Sequence, residues 1–361
     1  MLKKKLGFLG GIMVLLSLAG YVICLFAGDS KQLNKEEDIL VVTSFYPMYV
    51  LAENLTEGVD GITVSNLTEN QTGCLHDYQL TSRDMKLLAT ADAFVINGAG
   101  MELFMDKVLE SHAELPVIEA CHDIPLLEGV EHDHNHESEE ELWEHEDSEL
   151  HEEDELHEEH DAEHDEEHDE EHDEEHDEEE EHAGAHDHAH AENGHVWLDV
   201  ERYRKQLGTV TEELQDLFPE QADALGAAAA KYDDRLQELS WEVDRLEEQT
   251  HGIPVVIFHE AFAYLAESLH MEVIMTLSLD EETVPSAGEI AEVIEEIKYH
   301  GAAFLLIEEA YAGHAEKILA ETDAEVVYLD PLVTGDGAAD SYITGMKKNL
   351  EAIRHAAEEW H

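Results

Sequence analysis

Basic residues are scarce in this chain. Only 19 Lys and Arg stand against 88 Asp and Glu among 361 residues, a formal net charge of −69. Such a field argues against nucleic acid or an anionic bilayer surface as the partner and favours a divalent cation. Cysteine is rarer still: three residues cannot build a disulfide framework or a four-cysteine zinc module. Apolar residues are not lacking. At 43% of the chain they suffice for packed cores, and the length suggests about two domains of roughly 150 residues.

The acids are unevenly spread. Residues 131–192 hold 34 of them and no Lys or Arg, about half of the whole imbalance. Within this insertion His164, His168, His172 and His176 recur every four residues in His-Asp-Glu-Glu units. On a helix they would share one face and chelate in i, i+4 pairs. Repulsion between the acids opposes that helix, so the expectation is a solvated, disordered segment that collects zinc weakly.

At the other extreme, Lys3, Lys4 and Lys5 precede an apolar run over residues 6–27. A basic start followed by an apolar stretch reads as an export signal; its 22 residues, about 33 Å as helix, are also long enough for an uncleaved anchor. Cys24 adds a lipidation reading, although Ile23 stands where a small residue normally precedes a lipidated cysteine. All these readings put the folded part outside the cytoplasmic membrane, in the periplasm or cell-wall zone.

Past a polar tether over residues 29–38, apolar runs at 39–42, 62–67, 93–96 and 117–118 alternate with helical patterns at 48–55, 82–91 and 101–111. A second series has runs at 255–258, near 274, at 304–307 and 326–329, with helical patterns at 287–299, 311–321 and 341–359. Such alternation implies βα units around parallel sheets. Between the series, only Gly226 interrupts a helical pattern from Pro219 to Gln249. The expected fold is therefore α/β: two lobes, each a parallel sheet flanked by helices, joined by one long rigid helix. The segments are 1–28 (signal or anchor), 29–38 (tether), 39–218 (first lobe, carrying insertion 131–192), 219–250 (linking helix) and 251–361 (second lobe). A stiff link predicts little opening on ligand binding.

Four polar residues fall at or just past expected strand ends: His76, His195, His259 and Asp330. Ligands of open parallel sheets gather at those carboxyl ends, and three imidazoles with one carboxylate suit tetrahedral zinc. Glu260, Glu308 and Glu309 are competing oxygens that line the same region. Neutral imidazoles favour zinc over manganese, which prefers more oxygen. A hydrolase reading is weak, because neither a His-Glu-x-x-His motif nor a Ser or Cys nucleophile constellation is present.

The contexts of these residues resemble a known family. Gly73-Cys-Leu-His76-Asp-Tyr-Gln, Asn97-Gly-Ala-Gly-Met101-Glu, His195-Val-Trp-Leu-Asp199, Phe258-His259-Glu-Ala-Phe-Ala-Tyr264 and Leu329-Asp330-Pro-Leu resemble, in order, the motifs of the ZnuA-type zinc-binding proteins of bacterial ABC importers. An acidic, His-rich insertion before the second metal histidine is also typical of that family. The resemblance implies that His76, His195 and His259 ligate zinc, with a fourth place that varies between a carboxylate, here Asp330, and water. Leu75 stands where the family usually has proline. It further implies a monomeric, non-enzymatic protein that captures Zn2+ outside the cell and delivers it to an ABC permease. A manganese importer component and a surface adhesin or zinc store are the alternatives. Cys74 and Cys121 would both lie on the cleft side of the first lobe. A disulfide between them, two free thiols, and Cys74 as a ligand all stay open.

Overall fold

In the computed structural model, which describes residues 38–68, 75, 78–129, 192–277 and 285–360, the short apolar runs form the parallel strands of two sheets. The first holds β1 (Ile39–Thr43), β2 (Ile62–Asn66), β3 (Ala93–Ile96) and β4 (Val117–Glu119) in the order β2-β1-β3-β4. A two-stranded antiparallel ribbon follows, β5 (Leu127–Glu128) with β6 (Glu192–Asn193), pairing Leu127 with Asn193. The second sheet holds β7 (Pro254–Ile257), β8 (Glu272–Thr276), β9 (Phe304–Ile307) and β10 (Glu325–Tyr328) in the order β10-β9-β7-β8. Both sheets are wound alike: the second strand lies on one side of the first and the third on the other. That reversal opens a crevice at the strand carboxyl ends, between β1 and β3 and again between β7 and β9.

The helices are α1 (Tyr46–Thr56), α2 (Ser82–Leu88), α3 (Met105–Ser111), α4 (Val200–Leu217), α5 (Ala222–Thr250), α6 (Phe262–Ser268), α7 (Ala287–His300), α8 (Ala312–Glu321) and α9 (Ser341–Trp360). The long link is α5, whose 29 residues span about 44 Å. Leu225, Ala228, Tyr232, Leu236, Leu239, Val243 and Leu246 recur at three- to four-residue spacing and are buried, the single stripe expected of an amphipathic helix. This face packs against α1, α4 and α9. Pro219 does not start the helix. It sits in the turn after α4, where Gln221 N donates to Phe218 O (3.0 Å).

One apolar core runs through both sheets. Val41, Phe94 and Leu51 share it with Tyr203 and Leu236, with Val255, Ile257 and Leu306, and with Met346 and Leu350 of α9. Alternate residues of the second sheet, Val256, Phe258, Leu305 and Ile307, face a smaller core with Val293, Ile297 and Ile318. That two-sided burial is why β7 and β9 are apolar throughout. The closing helix α9 is tied to the first sheet's side of the molecule: Tyr342 stacks on Tyr203 (ring centroids 3.9 Å), and Asn54 Nδ2 donates to Ala339 O (2.9 Å).

Among the described residues no helix is long and apolar enough to cross a membrane. The expected signal or anchor with Cys24, the loop with Cys74 and His76, and the insertion histidines His164, His168, His172 and His176 lie outside the described residues.

Candidate metal centre

The second sheet contributes two groups from neighbouring strands. His259 lies two residues beyond β7 and Glu308 one beyond β9. Because those strands are adjacent and parallel, His259 Nδ1 meets Glu308 Oε1 at 2.7 Å. His259 is only 8% exposed. With Nδ1 committed to a carboxylate, its proton belongs there and Nε2 carries the lone pair, the arrangement typical of a metal-binding histidine.

His195 is completely buried and stands just before a 3₁₀ turn over Val196–Leu198. Its backbone N (3.0 Å) and Nδ1 (2.9 Å) both meet Asn193 Oδ1. Asn193 Nδ2 donates to Glu260 O (2.8 Å), which fixes the amide so that its oxygen faces His195. Thus one side chain on β6 braces His195 and reaches the residue beside His259. Glu260 Oε1 lies 3.8 Å from His195 Nδ1. The two imidazole rings meet edge to face, 4.8 Å between centroids.

The first sheet supplies the platform under His195. Asn97, just past β3, donates from Nδ2 to Gly194 O (2.9 Å) and accepts at Oδ1 from Gln206 Nε2 of α4 (2.9 Å). A Cβ on Gly194 would lie 2.5 Å from Met101 Cγ and 2.9 Å from Ala99 O, so only glycine fits here. Beneath this turn Glu102 is buried and accepts from Ser44 Oγ (2.7 Å), Asn97 N (2.8 Å) and Gly98 N (3.0 Å). Burial pushes its carboxyl up to about 7 even against these three donors. Using Glu102 this way shortens the expected helix: α3 begins at Met105 rather than Met101.

Contacts between the halves close the region. Trp197 Nε1 donates to Pro331 O (2.8 Å) and Tyr342 OH to Trp197 O (2.7 Å). Tyr264 OH donates to Asn193 O (2.7 Å) and accepts from Leu127 N (3.0 Å); burial raises its phenol to about 12.

Asp330 lies two residues beyond β10 and is exposed. Its Oδ1 accepts from Leu332 N (2.8 Å), and its backbone is clasped by Asn349 (2.9 and 2.8 Å). Among the described residues, neither Asp330 nor another acid joins the two imidazoles in a set of ligand atoms all within 4.8 Å. Cys121 is a free, buried thiol whose Sγ accepts from Gln206 Nε2 (3.1 Å), and burial pushes its pKa up.

Residues 41–356 match the ZnuA family, described as zinc-uptake complex component A, periplasmic. "Zinc-binding protein AdcA" of Streptococcus pyogenes is 28% identical over 363 residues, covering 98% of this chain and 61% of the relative. The chain thus spans less than two thirds of that relative's length. "High-affinity zinc uptake system protein ZnuA" of Bacillus subtilis is 25% identical over 334 residues, covering 89% of this chain and 88% of the relative. Among solved structures, the substrate-binding protein FpvC of Pseudomonas aeruginosa in complex with Mn2+ superposes with a TM-score of 0.67 at 20% identity, covering 90% of this chain and all of the other. With its paired sheets, their shared winding and a match over nearly the whole described region, the chain belongs to the ZnuA family of zinc-uptake components.

Proposed function

We propose that this protein captures Zn2+ between its two lobes, on the external face of the cytoplasmic membrane, and presents it to an ABC permease for import. The observation that carries the reading is the pair His195 and His259. They come from opposite halves, meet at 4.8 Å, and each has Nδ1 engaged by an acceptor, so that Nε2 is the ligand atom. His76 is the third imidazole of the proposed set. The fourth place falls to Asp330 or to water; Asp330 serves only after its side chain leaves the Leu332 amide. Zinc accepts either oxygen with three imidazoles, whereas manganese prefers an oxygen-rich set. Binding and release are the function, so no residue is assigned a catalytic role.

The test is calorimetric titration of the metal-free full chain with Zn2+, beside the triple variant His76→Ala/His195→Ala/His259→Ala. Tight one-site capture should vanish in the variant while its circular dichroism is retained. Nanomolar capture surviving in the folded variant would refute the proposal. Anomalous scattering at the zinc edge would show whether Asp330 or water is the fourth ligand.

A further inference from the structure

A second group of metal-type ligands stands apart from the cleft. Glu247, His251 and His270 bring one ligand atom each within 4.8 Å of one another, the only such set among the described residues. Glu247 and His251 are at the end of α5; His270 follows α6, 19 residues further along. Both imidazoles converge on one oxygen: Glu247 Oε1 is 3.0 Å from His251 Nδ1 and 3.1 Å from His270 Nδ1. Ligand atoms held at 2.0–2.1 Å around tetrahedral zinc stand about 3.4 Å apart, so little movement separates this arrangement from a chelate. The side chains are 69% and 62% exposed for the histidines and 27% for Glu247, leaving room for water in a fourth position.

The geometry is built rather than incidental. Hydrogen bonds cross between the segments on both sides of the histidines: Thr250 Oγ1 donates to Leu269 O (2.8 Å) and Gly252 N to His270 O (2.8 Å). His270 itself sits at φ +48, in the left-handed region where glycine is the easy choice. Both histidines follow helix C-termini, whose partial negative charge favours a cation. The rings lie 5.4 Å apart and tilted by 35°, side by side above the shared carboxylate.

We propose that Glu247, His251 and His270 form a surface site for a borderline divalent cation such as Zn2+, distinct from the interlobe cleft. The cation takes the Nδ1 lone pairs in place of the contacts to Glu247, each ring proton moving to Nε2; a doubly protonated imidazole cannot ligate, so acid weakens binding. Nothing in this site depends on the cleft reading.

The test needs a residue-resolved readout, because the cleft and the His-rich insertion also meet added metal. Diethyl pyrocarbonate labelling of the full chain, read by peptide mass spectrometry, reports each histidine separately while ZnCl2 is titrated. His251 and His270 should become protected together with one midpoint. Glu247→Gln should raise that midpoint by at least about tenfold, the lower end of what even an outer-shell partner is worth. His270→Asn, which tolerates the left-handed backbone, should abolish protection at His251 and leave the labelling of His259 unchanged. An anomalous zinc peak among the three side chains in a soaked crystal would agree. Both histidines still reactive in excess zinc, protection of one alone, or an unchanged midpoint in Glu247→Gln would each overturn the proposal.

Discussion

Asn193 divides one side chain between two lobes. Its oxygen orients His195 and its nitrogen holds the Glu260 carbonyl next to His259. Glu308 does the corresponding task for His259 alone. On the proposed reading both act through the ligands, so Asn193→Ala and Glu308→Gln should each weaken zinc capture about 10- to 100-fold by calorimetry. Losses below about twofold for both would show that neither orients a ligand.

Glu102 makes a pH prediction. Its carboxyl lies near 7 in the fold against an ordinary 4.5. Between those values the folded chain holds a proton that the unfolded chain has released, so stability falls as pH rises through that window and levels above it. The difference amounts to about 3 kcal/mol. Urea midpoints from pH 4.5 to 8 should show this component in the parent and lose it in Glu102→Gln; parallel profiles would exclude it. His259 is legible in the sequence because it closes the apolar run 255–258, and His195 because it opens the His-Val-Trp-Leu-Asp motif. Asn193 is not, since it closes an acidic stretch and its role arises only when β6 meets the loop after β7. Glu102 is visible within its motif, but that it lies under three backbone and hydroxyl donors comes from the tertiary turn.

At the scale of elements, the turn carrying Gly194 and the spine formed by α5 matter most. Gly194→Ala would drive its methyl into Met101 and the fixed Ala99 carbonyl. Backbone cannot yield as a flexible side chain can, so His195 must shift; a lower unfolding temperature and weaker zinc capture together are expected. Leu236, fully buried on α5, should cost about 2–5 kcal/mol as Leu236→Ala, read from denaturant unfolding. The inner strands β3, β7 and β9 are readable as short apolar runs, because strands covered on both faces cannot alternate. Helix α4 is absent from the sequence expectation although Tyr203, Leu207, Val210 and Leu214 are spaced for it. Its signal lies between the acidic stretch and Pro219, and the proline reads as a helix start when it actually occupies the α4–α5 turn.

For the whole molecule, the expected two-sheet plan holds and the long helix is present, three residues shorter at its start than the pattern suggested. What sequence could not convey is that the core continues from one sheet to the other through α5 and α9. Swinging the lobes apart would expose buried apolar surface at about 25 cal/mol per Å2. Small-angle scattering should therefore give the same radius of gyration with and without zinc; a clear expansion of the metal-free form would refute a stiff link. The ribbon of β5 and β6 brings Leu127 opposite Asn193, so replacing residues 131–191 with a short Gly-Ser turn should preserve both folding and one tight site while removing only the weak binding that the insertion histidines contribute. Loss of the tight site in that variant would mean that the insertion belongs to the centre.

That same ribbon makes the length of the acidic arm a nearly neutral variable. Once its two ends are clamped, doubling the enclosed chain raises the closure cost by only about 0.6 kcal/mol. More His-Asp-Glu-Glu units can therefore be added, or most of them discarded, with the anchoring of His195 left as it is.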